Sequence, residues 1–102
     1  MELKARHPDI PLMAFPRGAS YALVACQEAG YDVVTLDTQA DRKKTRELLA
    51  AAIDENPTGR CSRPATVQGN LDVIHLQPGS SVERVREEVS KLLDDFGPQV
   101  CL

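Results

Sequence analysis

Ala29-Gly30-Tyr31-Asp32-Val33-Val34-Thr35-Leu36-Asp37 places a helix stop, a short apolar strand and a strand-end carboxylate in immediate succession. Gly30 stands where a helix end wants a left-handed residue. Tyr31 to Leu36, centred on Val33-Val34, then reads as a strand too short and too apolar to face water on both sides. Before this stretch, residues 21–29 read as a helix with Ala22, Leu23, Val24, Ala25 and Cys26 in a row. A helix apolar almost all round predicts cover on more than one side. Ser20 is its expected cap, and Pro16-Arg17-Gly18 the turn that leads to it. Residues 10–15 predict a buried strand, and residues 1–6 the tail of a helix stopped by His7-Pro8.

The same rhythm continues on the other side. Residues 37–41 lead into a helix that runs to about residue 54, with Leu48, Leu49, Ala52 and Ile53 on its apolar side. Lys and Arg crowd its first turns, the unfavourable end of the helix dipole, so packing has to hold it. Residues 55–64 form a polar stretch with the turn signal Asn56-Pro57-Thr58-Gly59, and read as a loop insertion. Residues 65–68 predict a third strand, followed by Gly69-Asn70-Leu71-Asp72 and a short turn through residues 73–76. Ser80 and Glu83 have capping-box spacing. Val82, Val85, Val89, Leu92, Leu93 and Phe96 then make an apolar stripe at helical period. Arg84 with Glu88 and Glu87 with Lys91 are spaced to pair on the outer face. Gly97-Pro98 ends this helix, and Val100-Cys101-Leu102 reads as the start of a fourth strand.

Alternating short strands and amphipathic helices predict an α/β fold with a parallel sheet and right-handed crossovers. No Gly-rich phosphate fingerprint follows a strand, which leaves the eight-fold barrel ahead of the dinucleotide-binding sheet. The chain starts on a helix tail and stops on a strand start, and a whole barrel needs about 250 residues. The expectation is one domain, residues 1–102, that is a partial (β/α)8 TIM barrel of about three strand–helix units.

Composition narrows the function classes. The 102 residues are 42% hydrophobic and 26% charged, and two Tyr, two Phe and no Trp make the core an aliphatic one. A net charge of −3, with basic and acidic residues interleaved, argues against nucleic acid as a partner. The longest apolar run, residues 21–26, is too short to span a bilayer, and residues 1–6 lack the apolar segment of a secretory signal. Cys26, Cys61 and Cys101 are odd in number and widely spaced, which predicts free thiols.

In a barrel the functional groups gather at the C-terminal ends of the strands. Those ends carry Arg17, Asp37, and Asn70 with Asp72. A guanidinium there can hold a carboxylate through paired hydrogen bonds, and a carboxylate can accept from N–H groups or move a proton. Each has a plainer reading. Asp37 and Asp72 stand just before helical segments and can cap them. Arg17 can be a solvated turn residue and Asn70 a turn former. Asp72 and His75 are only two metal donors where a zinc site wants at least three, and His7 has no partner in view. Cys26 reads as core filler; Cys61 has cationic neighbours but lies in the insertion.

Longer words of the sequence add a resemblance. Pro11-Leu12-Met13-Ala14-Phe15, Gly18-Ala19-Ser20 and the stretch from Ala29 to Asp37 closely resemble consecutive stretches of uroporphyrinogen decarboxylases. Val67-Gln68-Gly69-Asn70-Leu71-Asp72 is similar to that family's LQGNLDP segment, and Leu92-Leu93-Asp94-Asp95-Phe96-Gly97-Pro98 to the helix end before its last barrel strand. Order and spacing agree along the chain except around residues 55–64. The resemblance implies a (β/α)8 barrel that decarboxylates the four acetate groups of uroporphyrinogen without metal or cofactor, in haem and chlorophyll synthesis. It also implies a homodimer of the cytosol or plastid. The family's principal catalytic groups fall outside this chain: an arginine-bearing segment, a central aspartate, a tyrosine and a serine upstream, and a histidine beyond Leu102. Thr38 stands where the family usually has Trp, and Val73 where it usually has Pro.

Two other readings compete. A zinc-dependent corrinoid or thiol methyltransferase of the same superfamily would want a His/Cys ligand set at the strand ends, and the spacing supplies none. A non-enzymatic fragment with an interaction role is the other. As a partial barrel with unpaired edges, the isolated chain is expected to be weakly folded or aggregating, and without decarboxylase activity.

Overall fold

The computed structural model describes residues 2–55 and 63–97. Three short strands, β1 (Met13–Ala14), β2 (Val33–Thr35) and β3 (Thr66–Gln68), form one parallel sheet in the order β1-β2-β3. The register aligns Met13 with Val33 and Thr66, and Ala14 with Val34 and Val67. Helices α1 (Glu2–Arg6), α2 (Leu23–Ala29), α3 (Arg42–Glu55) and α4 (Val82–Phe96) alternate with the strands. Two 3₁₀ turns, Ser20–Ala22 and Val73–Leu76, precede α2 and α4. The observed fold is therefore α/β with consecutive parallel strands, as the alternation of strand and helix signals requires.

Alternation along each strand sorts the two faces of the sheet. Val34 and Val67 point to one face, where Leu36, Leu23 of α2, Leu49 of α3, and Leu92 and Phe96 of α4 complete a single buried cluster. Val34 has no exposed surface at all. Each such side chain, fully buried, contributes roughly 1.5–3 kcal/mol. Met13 and Phe15 lie half exposed, and Thr66 is exposed on the opposite side of the pleat.

Several local expectations are corrected. The first strand is two residues long rather than spanning residues 10–15, with Ile10, Met13 and Phe15 all well exposed. Pro11 and Pro16 bracket it and offer no N–H to a ladder. Ser20 makes no capping bond, because the chain enters α2 through a 3₁₀ turn that starts after Ala19. Nor is α2 covered all round: Leu23 and Gln27 are buried, Ala25 is exposed, and Tyr21 is 89% exposed. Gly30 does end it in the left-handed conformation, with φ 102°.

On α3 only Leu49 is buried, and Leu48 faces out. The basic first turns of α3 find their counter-charge in the last turn of α4. Arg42 donates from Nε to Asp95 Oδ2 at 2.9 Å, Lys43 lies 3.7 Å from Oδ1, and Arg46 donates to the Asp95 carbonyl at 3.1 Å.

The cap of α4 is Ser81, whose hydroxyl accepts from Arg84 N at 3.1 Å, one residue later than the capping-box spacing places it. The Ser80 hydroxyl is instead buried without a hydrogen-bond partner among the described residues. Leu92 and Phe96 are the buried part of the α4 stripe, while Val82 and Leu93 are exposed. Glu88 pairs with Lys91 at 2.9 Å rather than with Arg84. The turn signal at residues 56–59, Cys61, Cys101 and the expected fourth strand lie outside the described residues. No helix among them is long and apolar enough to cross a membrane.

Candidate functional site

The C-terminal ends of β1, β2 and β3 come together through hydrogen bonds between their following loops. After β1 the chain turns at Pro16, with Arg17 N donating to Phe15 O and Ala19 N to Pro16 O, both at 2.9 Å. Gly18 supplies the positive φ, 72°, at the third position of that turn, where bulkier side chains are strained. Its N–H donates to Asp37 Oδ2 at 2.9 Å. Asp37 follows β2, so one carboxylate ties the first strand end to the second. It does not cap α3, whose first turn is capped by Asp41 through Oδ1 and Lys44 N at 3.0 Å.

The third strand end is tied in by backbone and side chain together. Leu36 N donates to Gln68 O at 2.9 Å, and Asn70 Nδ2 donates to Leu36 O at 2.7 Å. One turn deeper, the Thr35 hydroxyl donates to Gln68 Oε1 at 2.9 Å across the in-register pair. The Asn70 amide is thus fixed by its nitrogen, with its oxygen left as an acceptor. Asp37 likewise has Oδ1 uncommitted among the described residues. Arg17 is exposed beside Gly18, with no side-chain hydrogen bond or ion pair among them.

Asp72 behaves differently. Its Oδ1 accepts from Ile74 N at 3.0 Å and caps the second 3₁₀ turn, the plainer of its two sequence readings. His75, on that turn, points to α4 instead of joining Asp72: Nδ1 accepts from Arg84 Nε at 3.2 Å, and Nε2 lies 3.8 Å from Glu88 Oε2. No group of three or more His, Cys, Asp or Glu stands ready for a metal among the described residues. Sequence reasoning missed Gln68 and Thr35. Their signal was the alternation that turns them to the face opposite Val34 and Val67.

A cavity of about 670 Å³ opens elsewhere, between α3, α4 and the start of β3. Lys43, Arg46 and Arg63 are balanced there by Glu47, Asp94 and Asp95, so the lining prefers neither anion nor cation. The opposite ends of the strands hold a different polar cluster. Asp32 accepts from Lys4 Nζ at 2.6 Å and from Leu12 N at 2.8 Å, and these bonds hold its carboxyl below the usual carboxylate range. Lys91 does the same to Glu88, helped by His75 and Arg84.

The family model for uroporphyrinogen decarboxylase matches residues 1–100. The chain is 38% identical over 96 residues to the uroporphyrinogen decarboxylase of Salinibacter ruber, covering 94% of this chain and 23% of that protein. It is 36% identical over 96 residues to the mouse enzyme of the same name, covering 94% and 22%. To the Dictyostelium discoideum enzyme it is 34% identical over 97 residues, covering 94% and 23%. The chain therefore spans under a quarter of the length of these curated relatives. With a family match across nearly its whole length, the chain belongs to the uroporphyrinogen decarboxylase family.

Proposed function

We propose that residues 1–102 supply about three consecutive strand–helix units of a (β/α)8 uroporphyrinogen decarboxylase barrel and line one side of its substrate cleft. The carrying observation is the joined rim of strand ends, where Asp37 links the first two strands and Asn70 links the second to the third. In this reading the units that complete the barrel provide the catalytic groups. The substrate is the tetrapyrrole uroporphyrinogen, the reaction the conversion of its acetates to methyls, and the assembled enzyme a homodimer of the cytosol or plastid. The protonated pyrrole is its own electron sink, so no metal or cofactor enters the scheme.

This chain's residues then bind and orient. Arg17 is exposed on the rim and suited to a substrate carboxylate, where a two-point guanidinium contact gives both charge and direction. Asp37 offers Oδ1 to an N–H while Gly18 holds Oδ2 in place. Asn70 offers its amide oxygen, pinned by Leu36 O. Asp72 shapes the rim by capping the adjoining turn. Thr38 and Val73, both exposed next to these groups, set the fit of the substrate edge.

Grafting this segment in place of the matching one in the Salinibacter ruber enzyme tests the reading. A folded chimera is expected to turn over uroporphyrinogen, and Arg17→Met or Asp37→Asn in it to raise KM about tenfold, as loss of one charged contact does. The 102-residue chain alone should show no turnover. A folded chimera with no affinity for the tetrapyrrole would refute the assignment.

A further inference from the structure

The buried cluster lies on the face of the sheet that carries Val34 and Val67, against α2, α3 and α4. A closed barrel keeps its helices in an outer ring, so the opposite face is the inward one. Thr35 and Gln68 are the last in-register pair on that face, just before the rim groups Asp37 and Asn70. Bulky branched residues usually fill the interior layers of a barrel, so a polar pair at the top of this one calls for a reason.

Thr35 is 8% exposed and Gln68 is half-buried. The Thr35 hydroxyl donates to Gln68 Oε1 at 2.9 Å, and the Gln68 carbonyl accepts from Leu36 N at 2.9 Å. Gln68 Nε2 has no partner among the described residues. Nor is it enclosed, since Ser80 Oγ is the one buried side-chain atom left unpaired among them. The amide is therefore held at its oxygen, while its nitrogen keeps two N–H donors for a ligand. Asp37 and Asn70 hold acceptors open at the rim, whereas Gln68 holds a donor one layer deeper. Hydrogen bonds to an ionised acceptor are about twice as strong as those between neutral groups, so an open donor here favours a carboxylate.

We infer that Gln68 Nε2 donates to a carboxylate of the tetrapyrrole substrate, with Thr35 positioning the amide; this rests on the cleft reading above. Gln68 carries no charge, so it adds direction to the contact without adding a second cation to that of Arg17.

The folded chimera tests this, because uroporphyrinogen affinity of the unsubstituted segment decides the cleft reading separately. Gln68→Met removes the donor and is expected to raise KM about tenfold. Gln68→Glu keeps the shape and the acceptor for Thr35, but puts an anionic oxygen where the donor stood. It should raise KM further at an unchanged melting temperature, which a purely structural role would not do. Thr35→Val frees the amide and should raise KM about threefold, and Thr35→Ser should restore it. Affinity for the decarboxylated product then separates two sources of the carboxylate. A loss confined to the substrate assigns it to an acetate; an equal loss for the product assigns it to a carboxylate that the reaction leaves in place. Both uphold the contact. An unaltered KM in both Gln68 variants overturns it, while the cleft reading falls only if the unsubstituted chimera has no affinity for the tetrapyrrole.

Discussion

At the N-terminal ends of the strands, polar groups close on one another. Lys4, Asp32 and the Leu12 amide form one cluster, and Lys4 also donates to Ile10 O at 3.0 Å. Gln27, 1% exposed, donates to Leu49 O at 2.9 Å and accepts from Ala65 N at 2.8 Å, joining α2, α3 and the entry to β3. At the C-terminal ends, polar groups are anchored by one atom and keep another open, as in Asp37 and Asn70. The first arrangement maximises stability; the second fixes direction while leaving valence for a ligand. The difference matches the general division of labour between the two faces of a β/α barrel.

Breaking the closed end should cost most. Leu49→Ala, at the centre of the core beneath it, is expected to lose about 2–5 kcal/mol in a denaturant titration of the folded chimera. Gln27→Leu keeps the volume but leaves the Ala65 amide without its acceptor, a loss of roughly 1–3 kcal/mol. A loss below that seen for a surface substitution would deny Gln27 its bridging role.

Asp32 gives the comparison a pH dependence. Its folded-state carboxyl is held low by Lys4 and Leu12 N, so its contribution is present above the unfolded-state pKa and is lost as pH falls through the folded one. Asp32→Asn should therefore destabilise at neutral pH and make stability flatter between about pH 5 and pH 2. An unchanged acid limb would assign acid unfolding to other groups.

The open end should give the smallest change. Asp37→Asn keeps an acceptor for Gly18 and is expected to alter stability by no more than about 0.5 kcal/mol. On the proposed function its effect falls on substrate affinity, and a large loss of stability there would erase the contrast between the two ends.

The fold was largely legible because Val33-Val34 and Val67 announce strands by composition, and Gly30 marks a helix end that φ 102° makes good. Boundaries were less so. Ser80 and Glu83 fit the capping box as well as Ser81 and Arg84 fit the real cap, and only the entry angle of the chain decides between them. Arg17, Asp37 and Asn70 could be placed at the strand ends because those ends are short and easily read. Their partners could not: the Asp37–Gly18 bond spans 19 positions and the Asn70–Leu36 bond 34, and no local pattern reports such distances. Cap and site were indistinguishable for Asp72 until its bond to Ile74 N was in view.

Gln27 has one more consequence, for how the connection between α3 and β3 can change over evolution. By gripping Ala65 it fixes where β3 begins, whatever length of chain arrives there. Closing a longer loop costs only about 0.6 kcal/mol for each doubling of its length. Residues can then be gained between Glu55 and Arg63 at small thermodynamic penalty, with the register of Val67 against Val34 and the rim above it unmoved.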